Sequence, residues 1–164
     1  MEATAATPNF SRVRLLILDF DGVLTDNRVL VNEEGLEAVF CHRGDGLGLE
    51  MLRDAGLEAL VLSKERNLVV AARCRKLGLA CHQGQDEKLA TLKGLCSERS
   101  LSKEQVAYVG NDVNDLECMS WVGLAVAVAD AEPVVLEAAH FVTRKRGGHG
   151  AVREVCDLLL EALR

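Results

Sequence analysis

A pair of aspartates after the first apolar run constrains the fold of this chain more than any other feature. Residues 13–18 read Val-Arg-Leu-Leu-Ile-Leu, the short apolar pattern of a buried strand, and Asp-Phe-Asp-Gly-Val-Leu-Thr-Asp follows at 19–26. Alternate residues of a strand point to one side, so Asp19 and Asp21 start out together, and Gly22 permits a turn after them. Adjacent carboxylates raise each other's pKa unless a cation holds them. The pair predicts a metal site with a carboxylate nucleophile, although Asp-Gly is also common in ordinary solvated turns.

Composition and charge exclude several classes of protein. The 164 residues are 49% apolar and 4% aromatic, which indicates a globular domain and not a disordered chain. The net charge of −6 argues against a nucleic-acid partner, which requires a basic face. No apolar run approaches the roughly 18 residues of a membrane helix, so we expect no membrane partner. An anionic substrate must therefore be attracted by local cations.

The first residues are polar and carry no signal-peptide pattern. We expect residues 1–11 to form a disordered leader, residues 12–164 to form a single domain, and the protein to be cytoplasmic. The six cysteines are scattered and include no Cys-x-x-Cys pair, which indicates reduced thiols and neither a disulfide framework nor a zinc site.

The remainder of the chain alternates apolar strands with helices that end at glycines. A hairpin with strands at 28–32 and 36–41 follows the aspartate pair. Further strands are predicted at 59–62, 80–82, 106–109, 124–128 and 141–143, and helices at 47–55, 67–77, 88–97, 114–122, 133–139 and 151–163. This order predicts an α/β fold with a doubly wound parallel sheet, and no insertion is long enough to form a cap domain.

The chemically interesting side chains follow the predicted strands. Ser63 ends the second strand of the sheet, Asn111, Asp112 and Asp115 follow a later one, and Lys88 begins a helix. Ligands of such sheets bind outside the carboxyl ends of the strands. Each residue alone has an ordinary explanation, such as a helix cap or a solvated lysine. Their joint placement predicts one site.

These segments, in this order, resemble the four motifs of the haloacid dehalogenase (HAD) superfamily of phosphotransferases, and the resemblance runs from Arg12 to the end of the chain. The chain is most similar to the capless branch that includes 3-deoxy-D-manno-octulosonate 8-phosphate phosphatases and nine-carbon ulosonic acid 9-phosphate phosphatases. Four segments carry this similarity: the hairpin, the Arg-Gly-Asp-Gly-Leu-Gly turn at 43–48, Ala-Val-Ala-Asp-Ala at 127–131, and Gly-Gly-His-Gly-Ala-Val-Arg-Glu at 147–154.

The resemblance implies a catalytic set. Asp19 is expected to attack phosphorus and form an aspartyl-phosphate, and Asp21 to act as general acid and then general base. Ser63 and Lys88 are expected to hold the transferring phosphoryl oxygens.

The resemblance also implies Mg²⁺ as the cofactor, a cation that prefers oxygen ligands. The expected ligands are Asp19, the carbonyl of Asp21 and a group from Asn111 or Asp112, with Asp115 acting through a bound water. Most relatives have aspartate where Asn111 stands, so the choice between Asn111 and Asp112 stays open at this point.

The substrate implied is a sugar-acid phosphate. Five residues are expected to bind it: Thr25, Arg43, Glu65, Lys76 and Arg153. Glu65, with Lys76 eleven positions later, matches the residues found in the nine-carbon branch. This match slightly favours a nine-carbon over an eight-carbon substrate. Because there is no cap, the resemblance implies a homotetramer in which the hairpin forms the interface and a neighbour's glycine-rich basic tail closes each site. The loop 144–150 with Arg153 is expected to reach the substrate carboxylate, although it also fits a flexible loop before a terminal helix.

Two other functions fit parts of the pattern. One is a non-catalytic tetramerisation or regulatory domain, as at the C-terminus of some CMP-sialic acid synthetases (acylneuraminate cytidylyltransferases). In those domains the first-motif carboxylates are often lost, whereas Asp19 and Asp21 are both present. The other is a receiver-type phospho-acceptor domain, whose acceptor aspartate follows the third strand and not the first.

The nucleophile assignment predicts the behaviour of Asp19→Asn. Turnover should fall by at least about 10³-fold, because only a carboxylate oxygen can form the acyl-phosphate. Thermal stability without metal should hold or rise, since the substitution relieves repulsion between carboxylates. Phosphate release and thermal unfolding measure the two effects, and near-normal turnover would exclude the covalent mechanism.

Overall fold

A six-stranded parallel sheet forms the centre of the protein. The structure, a computed structural model, describes residues 8–164. The sheet has the order β5-β4-β1-β6-β7-β8. Its strands are β1 (Leu15–Leu18), β4 (Glu58–Leu62), β5 (Ala80–His82), β6 (Val106–Gly110), β7 (Leu124–Ala127) and β8 (Phe141–Val142), and β2 (Leu30–Val31) and β3 (Glu37–Ala38) form a separate antiparallel hairpin. Every residue of β1, β6 and β7 is buried, as expected of strands covered on both faces.

Six helices cover the sheet in two layers. They are α1 (Arg43–Asp54), α2 (Leu68–Leu77), α3 (Lys88–Glu98), α4 (Leu116–Trp121), α5 (Pro133–Ala138) and α6 (Ala151–Ala162). Helix α1 packs against α6 and α2, whereas α4 packs against α3 and α5. The chain winds from β1 outward in one direction and from β6 outward in the other, so the strand order reverses next to β1. This reversal is where open α/β sheets bind ligands.

The hairpin is the only addition to this architecture among residues 8–164. Between consecutive strands of the sheet lie single crossover helices with short 3₁₀ turns, and the fold therefore has no cap domain. The predicted doubly wound sheet and its hairpin are confirmed, although the paired strands of the hairpin are two residues each. Within the described part of the chain, no helix has both the length and the apolar character needed to cross a membrane.

Helix α1 begins four residues before its predicted start. The segment 43–48, expected to be a turn, forms the first turns of the helix, because Nδ1 of His42 accepts the N–H of Gly44 and caps it. The predicted boundaries of α2 and α3 agree with the structure to within one residue.

The predicted disordered leader, residues 1–11, lies in part outside the described residues. Its last two residues instead belong to a 3₁₀ turn at Phe10–Arg12, where Phe10 packs edge-to-face on Phe141 with ring centroids 5.4 Å apart.

Candidate active site

The predicted site residues meet where β1, β4 and β6 end. Asp19 directly follows β1, Ser63 follows β4, Asn111 follows β6, and Lys88 is the first residue of α3. All four are buried. They come together because parallel strands present their carboxyl ends at the same edge of the sheet. A pocket of about 220 Å³ opens there, and its walls include Asp19, Ser63 and Asn111.

A buried ion-pair cluster lies behind this pocket. The ammonium of Lys88 donates to Oδ1 of Asp19 at 2.8 Å and to Oδ1 of Asp115 at 2.9 Å, and lies 3.3 Å from the hydroxyl of Tyr108. That hydroxyl donates in turn to Oδ1 of Asp115 at 2.6 Å. One cation therefore holds two carboxylates away from solvent, an arrangement stable only when the remaining polar atoms are also satisfied.

The electrostatics of the cluster follow from burial. Desolvation and the neighbouring Asp115 raise the pKa of Asp19 from 3.8 to about 7, against the opposing effect of Lys88. Burial alone would lower the pKa of Lys88, but its two ion pairs outweigh burial and the pKa is raised. Burial also raises the pKa of Tyr108 well above its usual range, so its hydroxyl stays a donor. Without a further cation, the cluster carries more negative charge than Lys88 offsets.

Three oxygen acceptors meet at the outer side of Asp19. The side-chain oxygen of Asn111 faces the carbonyl of Asp21 and Oδ2 of Asp19, with no donor between them. If the amide turned over, its nitrogen would donate to the carbonyl at 3.0 Å and to Oδ2 at 3.2 Å. The corner thus suits either an amide donor or a cation between three oxygens, and oxygen is the ligand that Mg²⁺ prefers. The residues present fit a magnesium site that uses Asn111.

Asp112 and Asp115 both make contacts within their own turn, but only Asp112 also lines the pocket. Oδ1 of Asp112 accepts the N–H of Val113 at 2.7 Å, as a helix cap does. Oδ2 of Asp115 accepts the N–H groups of Asn111 and Asp112 at 2.9 and 3.3 Å. Asp115 therefore holds Lys88 and the 111–112 turn in place and does not face the pocket. Within residues 8–164, no three His, Cys, Asp or Glu side chains gather as a metal site.

Asp21 and Glu65 line the pocket beside Asp19, as expected. Partial burial raises the pKa of Asp21, and the charges of Glu65 and Glu37 add to the effect. The Oγ of Ser63 accepts the N–H of Glu65 at 3.1 Å, which leaves the hydroxyl proton free to donate into the pocket.

The other expected substrate-binding residues are not at this pocket. Thr25 is fully buried, and its hydroxyl accepts the N–H groups of Gly22 at 3.1 Å and Asn27 at 3.2 Å, so it braces the loop after Asp19 and does not reach a ligand. Nε of Arg153 donates to Asp157 at 2.8 Å on the surface of α6.

Arg43 and Lys76 line a different surface, a groove of about 610 Å³ between α1 and α2. Glu65 precedes α2 and Lys76 lies near its end, so at about 1.5 Å per residue the two are separated by roughly one helix length. Within one chain, the two residues expected to contact the extra length of a nine-carbon sugar therefore do not line the same pocket.

Two residues of the site did not emerge from the sequence. Tyr108 is the only tyrosine of the chain and lies in an apolar strand, where a buried hydroxyl requires a partner; that requirement was the available signal. Asn27 lines the pocket with a positive φ of 65°, and nothing in the sequence pattern distinguishes it from an ordinary turn asparagine.

Known proteins match the chain over most of its length. A family model described as haloacid dehalogenase-like hydrolase matches residues 79–155. The 3-deoxy-D-manno-octulosonate 8-phosphate phosphatase KdsC of Yersinia pestis is 41% identical over 153 residues, which cover 93% of this chain and 82% of that protein.

Solved structures agree with that match. An HAD-family hydrolase from Streptomyces avermitilis superimposes with a TM-score of 0.92 at 49% identity, covering 96% of this chain and 91% of that one. The 3-deoxy-D-manno-octulosonate 8-phosphate phosphatase of Moraxella catarrhalis, solved with magnesium, phosphate and KDO, gives a TM-score of 0.90 at 34% identity, covering 94% and 89%.

The raised pKa of Asp19 predicts how pH affects the metal-free protein. Between pH 3.8 and about 7 the folded state keeps a proton on Asp19 that the unfolded state has lost. This stabilising contribution is full below pH 3.8 and is lost as the pH rises through about 7. The thermal unfolding midpoint of the wild type in chelator should therefore fall as the pH rises over this range. The midpoint of the Asp19→Asn variant should fall less over the same range. Equal pH slopes for the two proteins would contradict the assignment.

The oxygen-lined corner predicts the effect of Asn111→Asp. A charged ligand should tighten Mg²⁺ binding by about 10-fold or more, because carboxylates bind hard cations more strongly than amides do. Calorimetric titration of the metal-free proteins measures this, with Asp112→Asn as the comparison. If Asp112→Asn weakens binding and Asn111→Asp leaves it unchanged, Asp112 is the ligand instead.

Proposed function

The chain belongs to the haloacid dehalogenase-like hydrolases, in their capless branch, and we propose that it is a Mg²⁺-dependent phosphatase of a phosphorylated 3-deoxy-ulosonic sugar acid. It is an enzyme of the phosphoric monoester hydrolase class. The observation that carries the proposal is the double role of the Asp19 carboxylate. One oxygen is held by Lys88, and the other lies at the oxygen-lined corner with Asp21 and Asn111.

The first half of the reaction transfers the phosphoryl group to Asp19. A carboxylate oxygen of Asp19 forms a bond to phosphorus while the bond between phosphorus and the sugar oxygen breaks. Asp21 gives its proton to that sugar oxygen, which leaves as an alcohol. Partial burial raises the pKa of Asp21, which is the direction in which a general acid is tuned.

The second half returns the enzyme to its starting state. A water molecule attacks phosphorus, and the bond between phosphorus and Asp19 breaks. Asp21 takes the proton from the water as it attacks. The products are inorganic phosphate, a free Asp19 carboxylate and a protonated Asp21, so one turnover consumes one water molecule.

Positioning and charge neutralisation supply most of the catalysis in phosphoryl transfer. The free hydroxyl proton of Ser63 is suited to a phosphoryl oxygen. Lys88 makes three contacts within the buried cluster, so in this arrangement it holds the nucleophile and balances its charge. A bound Mg²⁺, with Asp19, the Asp21 carbonyl and Asn111 as protein ligands, would neutralise charge on the phosphoryl oxygens.

The pocket of one chain can bind only part of a sugar-acid phosphate. At about 220 Å³ it is smaller than the roughly 300–1,000 Å³ of typical small-molecule sites. Its charged lining consists of Lys64 and the acids Asp19, Asp21, Glu65 and Asp112, which would repel the carboxylate of a sugar acid. The carboxylate therefore requires cations from another surface.

The groove between α1 and α2 has the required charge. It contains five basic side chains and one acidic one: Arg43, Arg53, Arg73, Arg75, Lys76 and Glu50. Nε of Arg73 is buried and has no hydrogen-bond partner among the described residues. We propose that a second copy of the chain presents this groove to the pocket. That arrangement would give Arg43 and Lys76 their expected role in substrate binding.

The hairpin supports assembly into the proposed homotetramer. Leu30, Val31, Leu36 and Phe40 are each more than half exposed, at 68%, 55%, 64% and 69%. Apolar side chains exposed together in a short two-stranded hairpin are typical of a protein–protein contact. Packing against copies of itself would bury them and would cover the open strand edges.

The chain length of the sugar is the finer part of the proposal. The named relatives act on an eight-carbon octulosonate, which makes 3-deoxy-D-manno-octulosonate 8-phosphate the first substrate to test. The slight preference for a nine-carbon acid rests on Glu65 and Lys76 and stays a prediction. Phosphate release from 8- and 9-phosphorylated ulosonic acids, in Mg²⁺ and in chelator, tests the function. Absence of release from every member of this panel would overturn it.

Lys76→Ala tests whether a second copy completes the site. Its Michaelis constant for the sugar acid should rise by about 10-fold while kcat changes little, because a contact to the substrate carboxylate far from phosphorus acts mainly on binding. Lys103→Ala is the matched control, since Lys103 is exposed before the start of β6 at the opposite edge of the sheet. A fully active monomer in solution, or equal effects of the two substitutions, would contradict the shared site.

A further inference from the structure

The loop 144–150 lies against the loop that carries the two aspartates. Gly147 and Gly148 are buried there, backbone against backbone. A Cβ on Gly147 would lie 1.7 Å from the carbonyl oxygen of Gly22, and one on Gly148 would lie 2.2 Å from the nitrogen of Asp26. The N–H of Gly148 donates to the carbonyl of Val23 at 3.1 Å. Glycine is required at both positions because no side chain fits between the two loops.

The loop 144–150 is itself held by hydrogen bonds on its far side. Oδ1 of Asp130 accepts the N–H of Gly147 at 2.9 Å. The side chain of Glu154 accepts the N–H groups of Arg144 and Lys145 at 3.0 and 3.1 Å. The hydroxyl of Thr143 donates to the carbonyl of Lys145 at 2.6 Å. These contacts fix the loop to its own chain and account for its buried glycines.

Helix α6, which follows the loop, is anchored in the same way. Asp45 is fully buried in the first turn of α1, and its Oδ1 accepts the N–H of Arg153 at 2.9 Å. Three segments outside the catalytic set contribute to these hydrogen bonds: 43–48, 127–131 and 147–154. Together these contacts hold the loop 144–150 against the residues that follow Asp21.

We propose that the loop 144–150 sets the position of the Asp21 carbonyl, and that Asp130 is a positioning residue acting through Gly147. The contact surface is the carbonyl of Gly22, one peptide beyond the carbonyl of Asp21 that faces Asn111. A shift of the loop moves Gly22 and thereby opens the oxygen-lined corner. The inference takes from the proposed function only that Mg²⁺ binds at this corner, and it does not depend on the sugar.

Asp130→Ala tests the proposal in the full-length protein. Asp130 is exposed, so its removal leaves the apolar core intact. Mg²⁺ affinity of the metal-free protein, measured by calorimetric titration, should weaken between about 2-fold and about 10-fold, the effect of losing one hydrogen bond. The thermal unfolding midpoint in chelator should fall by no more than a few degrees, the effect expected from losing one hydrogen bond. Asp130→Asn keeps an acceptor oxygen and should bind Mg²⁺ as the wild type does.

Asp157→Ala is the matched control, since it removes an exposed aspartate of α6 whose side chain pairs with Arg153 and not with Gly147. Its Mg²⁺ affinity should equal that of the wild type. The proposal is overturned if Asp130→Ala leaves Mg²⁺ affinity unchanged, if Asp130→Asn weakens it equally, or if Asp157→Ala weakens it as much. If wild-type protein binds Mg²⁺ but releases no phosphate from any sugar acid, the proposed function fails while this inference stands.

Discussion

The site depends on one buried ammonium shared by two buried carboxylates. Lys88 lies within 2.9 Å of both Asp19 and Asp115, and all three side chains are almost completely removed from water. Removal of Lys88 would leave two buried carboxylates without a counter-ion, and an uncompensated buried charge typically costs about 3–5 kcal/mol. Tyr108 and the N–H groups of the 111–112 turn satisfy the remaining oxygens of Asp115. Strands β1 and β6 and helix α3 are therefore tied together at the point where the nucleophile is held.

The positions of these groups follow from the topology of the sheet. Because every strand of the six-stranded sheet is parallel, the residues after β1, β4 and β6 share one edge, although they are far apart in the sequence. Glycine at position 110 leaves room for Asp115, whose Cβ would lie 2.6 Å from a Cβ added there. The turn can therefore fold back and bring Asp115 under the end of β6. The geometry of the cluster is a property of the fold as much as of its charged residues.

Sequence reasoning succeeded where a residue's place follows from strand and helix periodicity. Asp19, Ser63, Lys88 and Asn111 were expected at one edge, and the structure brings them together there. It was less successful where placement depends on individual hydrogen bonds. No periodic signal distinguishes a threonine that braces a loop from one that binds substrate, so the inward position of Thr25 could not be predicted.

Contacts between segments that are distant in the chain also could not be predicted from the sequence. The loop 144–150 meets residues 22–26 more than a hundred positions away, and the glycines that allow the contact also suit an exposed flexible loop. Helix geometry, in contrast, could have shown that Glu65 and Lys76 lie far apart, because Glu65 precedes α2 and Lys76 is near the end of that helix.

The acidic lining of the pocket has a consequence for the end of each turnover. Inorganic phosphate is an anion that lacks the hydroxyls and carboxylate through which a sugar acid can be held. It is left among Asp19, Asp21, Glu65 and Asp112, with Lys64 as the exposed cation. Where no cation offsets them, these carboxylates repel an anion, so retention of inorganic phosphate by the pocket is expected to depend on the bound metal.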